Sequence, residues 1–280
     1  MCGPFKGCQG VLRLLEVLFS ALALAVVVFR GRMLSPWGVW CEFVWVLCVA
    51  VPLAAAVMEA RLWHVLLAAC LPDWADLTCG LTALCAAAVA SATAVFAAVF
   101  VCLSCVDSIL CFIFSLVATL VFLFDSVRGR AAGPSGYLCS LRGSLRTAEA
   151  FVASVVLTAA ADHFVNGNWA FRPAGMICSA VAFAVCLVVT VVVEVLNLLK
   201  LLQSLLSFGL DVVERVFNVV AVLLHLLAVI LWVVFGYKRK KYDPYICEKC
   251  RYADVNTVTI GAAVNLVLYI IDLALSFRSH

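Results

Sequence analysis

The side chains of this 280-residue chain that could do chemistry come mostly in matched pairs. Gly10-Val11-Leu12-Arg13-Leu14-Leu15-Glu16 and Gly143-Ser144-Leu145-Arg146-Thr147-Ala148-Glu149 both read G-x-L-R-x-x-E. A spacing of three puts each Arg and Glu on one helical face. Glu59 and Glu194 end the second and sixth apolar stretches. The fourth and eighth end Phe122-Leu123-Phe124-Asp125 and Tyr269-Ile270-Ile271-Asp272. Such matching makes the chain two copies of a four-helix unit. In an up-down unit, the start of helix one and the ends of helices two and four face one leaflet. Arg13, Glu16, Glu59 and Asp125 should therefore gather at one membrane surface, and so should Arg146, Glu149, Glu194 and Asp272. The expected role is a structural polar network tying helix ends together, because charge there costs far less than charge at mid-bilayer.

Two thiol pairs have C-x-x-C spacing, Cys102 with Cys105 and Cys247 with Cys250. They sit in equivalent outer turns of the two repeats, which favours two short disulfides; unpaired thiols are the alternative, since sequence does not fix pairing. Were its loop inside, Cys247 and Cys250 could supply half a zinc site, but a structural site takes four ligands and no second C-x-x-C or His pair is near. No metal site is assigned. Cys2 and Cys8 flank the first stretch on the side read as cytoplasmic and are candidate palmitoylation positions. Cys48, Cys85, Cys111, Cys178 and Cys186 lie inside apolar runs, where cysteine behaves as a small hydrophobe. His225 alone places a titratable group near the middle of a span. That is a functional-site hypothesis by default, and equally the profile of a hydrogen-bonded packing residue. With no H-E-x-x-H, P-loop or G-x-S-x-G, no catalytic residue and no cofactor is assigned.

Composition says which elements must carry these residues. The chain is 66% hydrophobic and 12% charged, against about 45–50% and about 25% for soluble domains, and its mean hydropathy is +1.17. A spanning helix needs about 20 mostly apolar residues. Eight stretches qualify, 11–29, 38–58, 79–102, 106–124, 147–165, 174–195, 216–236 and 256–276. Lipid supplies no hydrogen-bond partners, so each must be a helix. The expected fold is all-α: a polytopic membrane protein with eight transmembrane helices in two four-helix bundles. The expected division is a cytoplasmic N-terminus at 1–9, a first unit at 10–128, a cytoplasmic linker at 129–141, a second unit at 142–277 and a tail at 278–280. Little chain is left for a soluble catalytic module, and a net charge of +3 argues against nucleic acid as a partner. The apolar run 17–29 ends in Arg30 and Arg32 without a small-residue cleavage site, so it reads as a retained span rather than a signal peptide.

Three segments carry finer expectations. Ala83, Ala87, Ala90, Ala94 and Ala98 place small residues on one face of the third stretch, the usual route to close packing in lipid, and read as bundle core. Asn197, Lys200, Gln203, Ser204, Ser207, Asp211 and Glu214 form a polar stripe that suits an amphipathic helix lying in the interface. The rival, an extra span over 196–212, must bury Lys200, Asp211 or both. With a cytoplasmic N-terminus, the inner segments hold ten Lys and Arg and the outer nine, six of the nine lying in the loop 238–251. Without that loop the count is ten against three, a clear positive-inside bias. Either the loop tolerates the outside, or the second half has a different number of spans.

Residues 136–153, from Gly136-Tyr137-Leu138-Cys139 through Arg146-Thr147-Ala148-Glu149 to Val152-Ala153, resemble the opening of the second MARVEL domain of myeloid-associated differentiation marker proteins. Ala221-Val222-Leu223-Leu224 leading to Trp232 is similar to their seventh span, and Asn265-Leu266, Tyr269, Asp272-Leu273 and Ser276 to their eighth. The resemblance implies a tandem MARVEL protein of plasma membrane or vesicles, with both termini cytoplasmic. It also implies association with ordered, sterol-rich membrane, trafficking or membrane apposition, and carries no catalytic residues over. The partners so implied are membrane lipids including sterol, other membrane proteins and a second copy of the chain. Val234-Phe235-Gly236-Tyr237-Lys238-Arg239 also fits the loose cholesterol pattern. The competing reading is a channel or transporter with His225, Asn218 and Asn265 along a path between the repeats. An eight-span chain is expected to expose a tag at residues 242–244 to a membrane-impermeant label on intact cells. Labelling only after permeabilisation would put the basic loop inside and break the span count.

Overall fold

The structure is a computed structural model that describes residues 8–31, 33–66, 74–102, 104–131, 136–166, 173–198, 210–237 and 253–278. Its helices are α1 Cys8–Arg30, α2 Pro36–Ala60, a short α3 Trp63–Leu66, α4 Trp74–Val99, α5 Val106–Ala131, α6 Leu141–Asn166, α7 Ala174–Leu198, α8 Leu210–Gly236 and α9 Ala253–Arg278. Among the described residues all except α3 are long and apolar enough to cross a membrane, eight in number. The chain is therefore an all-helical polytopic membrane protein, as composition requires. It divides into two compact units, Met1–Leu141 and Arg142–His280.

Local chemistry sets the helix ends. Gly31 takes φ 109°, and its N–H reaches the Val27 carbonyl at 3.1 Å, ending α1 in the left-handed conformation that favours glycine. Ser35 then caps α2: its hydroxyl accepts from the Gly38 N–H at 3.1 Å, with Pro36 in the first helical turn. Several helices run past their apolar stretches. α4 starts at Trp74, five residues early, and α6 takes in the polar turn from Leu141 to Arg146. Both extra turns hold side chains with partners inside the bundle, so they are not solvent-seeking ends. Asp76 shows why: its buried carboxylate accepts from the backbone N–H groups of Leu138 and Cys139 at 2.9 and 2.8 Å, pinning the turn before α6 against α4.

The first unit is built round Trp45, which is fully buried. Its indole N–H donates to Ser115 Oγ at 3.0 Å, and its ring meets Phe96 edge-on at 5.6 Å. Thr93 Oγ1 lies 2.7 Å from Ser115 Oγ and 2.9 Å from Thr119 Oγ1, so the hydroxyls of α4 and α5 satisfy one another. The Cys41, Cys48 and Cys111 thiols reach the Ala92, Cys85 and Ala23 carbonyls at 3.6 to 3.7 Å. They act as small packing residues with a weak donor. In the second unit the buried Trp232 donates to the Val255 carbonyl at 3.3 Å, with the His163 and Phe164 rings set edge-on at 5.9 and 6.0 Å.

The alanine face departs from expectation. Ala87, Ala94 and Ala98 are exposed, whereas Cys85, Ala88, Val89, Ala92 and Phe96 pack inward. α4 is rich in small residues on every side, so spacing alone could not choose the face. Its bulkier row does, because Phe96 meets Trp45 there. The polar stripe that begins at the end of α7 is divided: Asn197 lies in the last turn of α7, where its amide donates to the Val193 carbonyl at 3.0 Å, while Asp211 and Glu214 fall in α8. Lys200, Gln203, Ser204 and Ser207 lie outside the described residues.

Candidate functional site: a charged layer at one end of each unit

In the first unit, α1, α2, α4 and α5 bring Arg13, Glu16, Glu59, Trp74 and Asp125 to one end. Arg13 Nη1 lies 2.5 Å from Glu59 Oε2, and the Trp74 indole donates to Glu59 Oε1 at 2.8 Å. Each oxygen of Glu59 thus has its own donor. Glu16 is buried, has Arg13 and Asp125 as charged neighbours, and its Oε1 has no hydrogen-bond partner among the described residues. Asp125 is 8% exposed; Arg13 and Arg128 act on it through space, and no described residue donates a hydrogen bond to its carboxylate.

The second unit uses the same skeleton with different pairing. Arg146 Nε and Nη2 both lie 3.3 Å from Asp272 Oδ2, and the Asn218 amide donates to that oxygen at 2.6 Å. Arg142 Nε stands 3.5 Å from Asp272 Oδ1, close enough for an ion pair though not for an aligned hydrogen bond. The Thr147 hydroxyl donates to Glu194 Oε1 at 2.7 Å. Glu149 is buried with Asp272, Arg146 and Glu194 as its charged neighbours. Arg13 therefore pairs with the acid that ends its unit's second long helix, and Arg146 with the acid near the end of its unit's last. Sequence spacing placed the acids at one end but passed over their other partners: Trp74, Arg142, Thr147 and Asn218. One signal was available. Carrying the repeat back a residue sets Gln9 against Arg142.

His225 and Asn265 meet inside the second unit, His225 Nε2 lying 3.2 Å from the Asn265 amide nitrogen. The imidazole lies between the Phe183 and Tyr269 rings at 5.2 and 4.8 Å, and the Tyr269 hydroxyl is 2.7 Å from Thr190 Oγ1. Asn218, the third residue of the pore reading, instead serves Asp272. All three belong to the interior of one unit. Among the described residues no group of three or more His, Cys, Asp and Glu could hold a metal ion.

The expected Cys102–Cys105 disulfide is absent: both are free thiols in the turn before α5. Ser104 Oγ stands 3.0 Å from Cys102 Sγ and 4.0 Å from Cys105 Sγ, taking up the thiols' hydrogen-bonding capacity. The turn itself is latched by Ser108, whose hydroxyl donates to the Cys102 and Cys105 carbonyls at 3.0 and 2.8 Å. Hydrogen bonding from Ser104 lowers the exposed Cys102 thiol to about 7, whereas burial pushes Cys139 up to about 12. Cys2, Cys247 and Cys250 lie outside the described residues, as does the side chain of Cys8.

Eight apolar helices in two units, each closed at one end by buried acids and an arginine, define a polytopic helical membrane protein. The chain is similar over nearly its whole length to myeloid-associated differentiation marker proteins. It is 28% identical to myeloid-associated differentiation marker-like protein 2 of Xenopus laevis over 96% of this chain and 92% of that protein. The Homo sapiens protein of that name is also 28% identical, over 99% of this chain and 93% of its own length. Myeloid-associated differentiation marker of Mus musculus is 25% identical over 96% and 89%. No protein-family profile matches the chain, and no solved structure does.

Two outcomes follow from this geometry. Arg146→Leu strips the principal partner from a carboxylate that is 1% exposed and should cost about 3–5 kcal/mol, the range for breaking a buried pair. Arg13→Leu should cost less, because Glu59 is 29% exposed and keeps Trp74. Thermal unfolding of both variants in detergent checks the order. Alkylation mapped by peptide mass spectrometry should show Cys102 reaching half its maximal rate near pH 7, with Cys139 unmodified there.

Proposed function

We propose that this protein is a non-enzymatic organiser of ordered, sterol-rich membrane, a tandem MARVEL protein acting in trafficking or membrane apposition. In this reading it resides in the plasma membrane or vesicles with both termini cytoplasmic. Its partners are lipids, sterol among them, other membrane proteins and a second copy of itself. The names of its relatives describe differentiation markers and no reaction. One observation carries the reading. On α7, Val181, Val185, Val188, Val192 and Val195 are all exposed, in steps of four and three that make one continuous outward stripe. Valine is stiff at χ1, so the stripe is a rigid, nearly smooth ridge. Such a ridge suits straight, ordered acyl chains, whereas flexible side chains suit disordered ones.

The test is partition of the tagged protein in giant vesicles separated into ordered and disordered phases. The native chain should enrich in the ordered phase. Replacing the five valines by leucine should reduce that enrichment at unchanged thermal stability. A native chain that enters only the disordered phase would sink the proposal.

A further inference from the structure

The acids near the ends of the two units' last helices differ in the donors about them. Asp272 has Arg146, Asn218 and Arg142 about it. Its counterpart Asp125 has no donor among the described residues, and the position matching Arg142 is Gln9. Next to Asp125, where the second unit sets an arginine against Asp272, the first has an open cleft of about 340 Å³. Gln9, Glu59, Trp74, Thr78, Thr82 and Asp125 contribute to its walls. Asp125 is more than nine-tenths buried, lines the cleft and has no hydrogen-bond donor among the described residues. Arg13 is paired with Glu59, and Arg13 and Arg128 reach Asp125 only through space.

We infer that this cleft binds a primary ammonium group, which takes the place that Arg142 fills in the second unit. An ammonium would donate hydrogen bonds to Asp125 and Glu59, both of which line the cleft. An anion would meet two carboxylates. A divalent metal would lack the ligand cluster, which the described residues do not form. Because the cleft lies where helix ends meet the headgroup layer, the source is an aminophospholipid headgroup or a soluble amine of the same chemistry. The inference stands on the cleft and not on the ordered-membrane reading.

The test uses the full chain purified in detergent, with native mass spectrometry and melting temperature as readouts. Phosphatidylethanolamine should be retained about tenfold or more over phosphatidylglycerol, which lacks the ammonium, and over phosphatidylcholine, whose quaternary nitrogen has no hydrogen to donate. Gln9→Arg supplies the second unit's own cation; it should abolish the preference while holding or raising the melting temperature. Asp125→Asn, in folded protein, should abolish it as well. Stabilisation by ethanolamine without lipid identifies a soluble amine as the source, and stabilisation by phosphatidylethanolamine alone identifies the headgroup. Equal retention of the three lipids overturns the inference. So does a folded Gln9→Arg or Asp125→Asn chain that still prefers phosphatidylethanolamine.

Discussion

Lipid offers no hydrogen bonds, and the architecture follows from that one deficiency. A backbone group left unpaired in hydrocarbon costs several kcal/mol or about that, so the spans are helices and their polar side chains turn inward. The first unit meets the requirement at mid-depth with hydroxyls that serve each other, Thr93, Ser115 and Thr119, and with the Trp45 indole on Ser115. The second meets it in part, with the Asn265 amide against His225 Nε2 and the Tyr269 hydroxyl against Thr190, while His225 Nδ1 and Asn265 Oδ1 have no partner among the described residues. Each unit sets its buried arginine and three acids at one end, with Glu42, Asp107 and Asp162 toward the other, so that full charges keep to the helix ends, where the dielectric is higher and the cost lower.

Within that layer the two units pair their charges differently. An arginine three residues before a glutamate fixes which face both occupy; it does not fix which opposing acid the arginine takes. That choice falls to neighbours. Trp74 and Arg13 share out the oxygens of Glu59, and Asn218 draws Asp272 toward Arg146. The helices stay in place while the hydrogen bonds are redistributed, because packing in the apolar interior, not the ion pair, supports each bundle.

The same distinction sets what the sequence makes legible. Eight apolar runs and a repeated G-x-L-R-x-x-E are long, redundant signals, so the spans and the end that gathers the acids could be read directly. Partner choice depends on single donors far apart in the chain: Asn218 to Asp272 crosses 54 residues and Trp74 to Glu59 crosses 15. No local spacing encodes either. The alanine face of α4 was misread for a related reason. Small residues recur at helical spacing on several sides of that helix, and only Phe96 against Trp45 marks the inner one. The Cys102 and Cys105 pair shows the limit of motif reading: C-x-x-C spacing is compatible with a bridge, yet the intervening Ser104 hydroxyl sits beside both sulfurs.

An acid that is buried and partnered by its own chain is a structural element, closed to its surroundings. Asp272 is of that kind, with two guanidiniums and an amide about it. Asp125 has the same position in its unit without those donors, and a cleft lies beside it. Evolution of a single-copy bundle would face a conflict between stability, which wants every carboxylate paired, and binding, which wants one left open. Duplication relieves the conflict. One unit can keep two arginines beside Asp272 while the other has the shorter Gln9 in place of Arg142, with a cleft beside Asp125. On the proposed reading, one difference between the two helix starts, Gln9 against Arg142, turns a structural ion pair into a place where an ammonium from outside supplies the missing half.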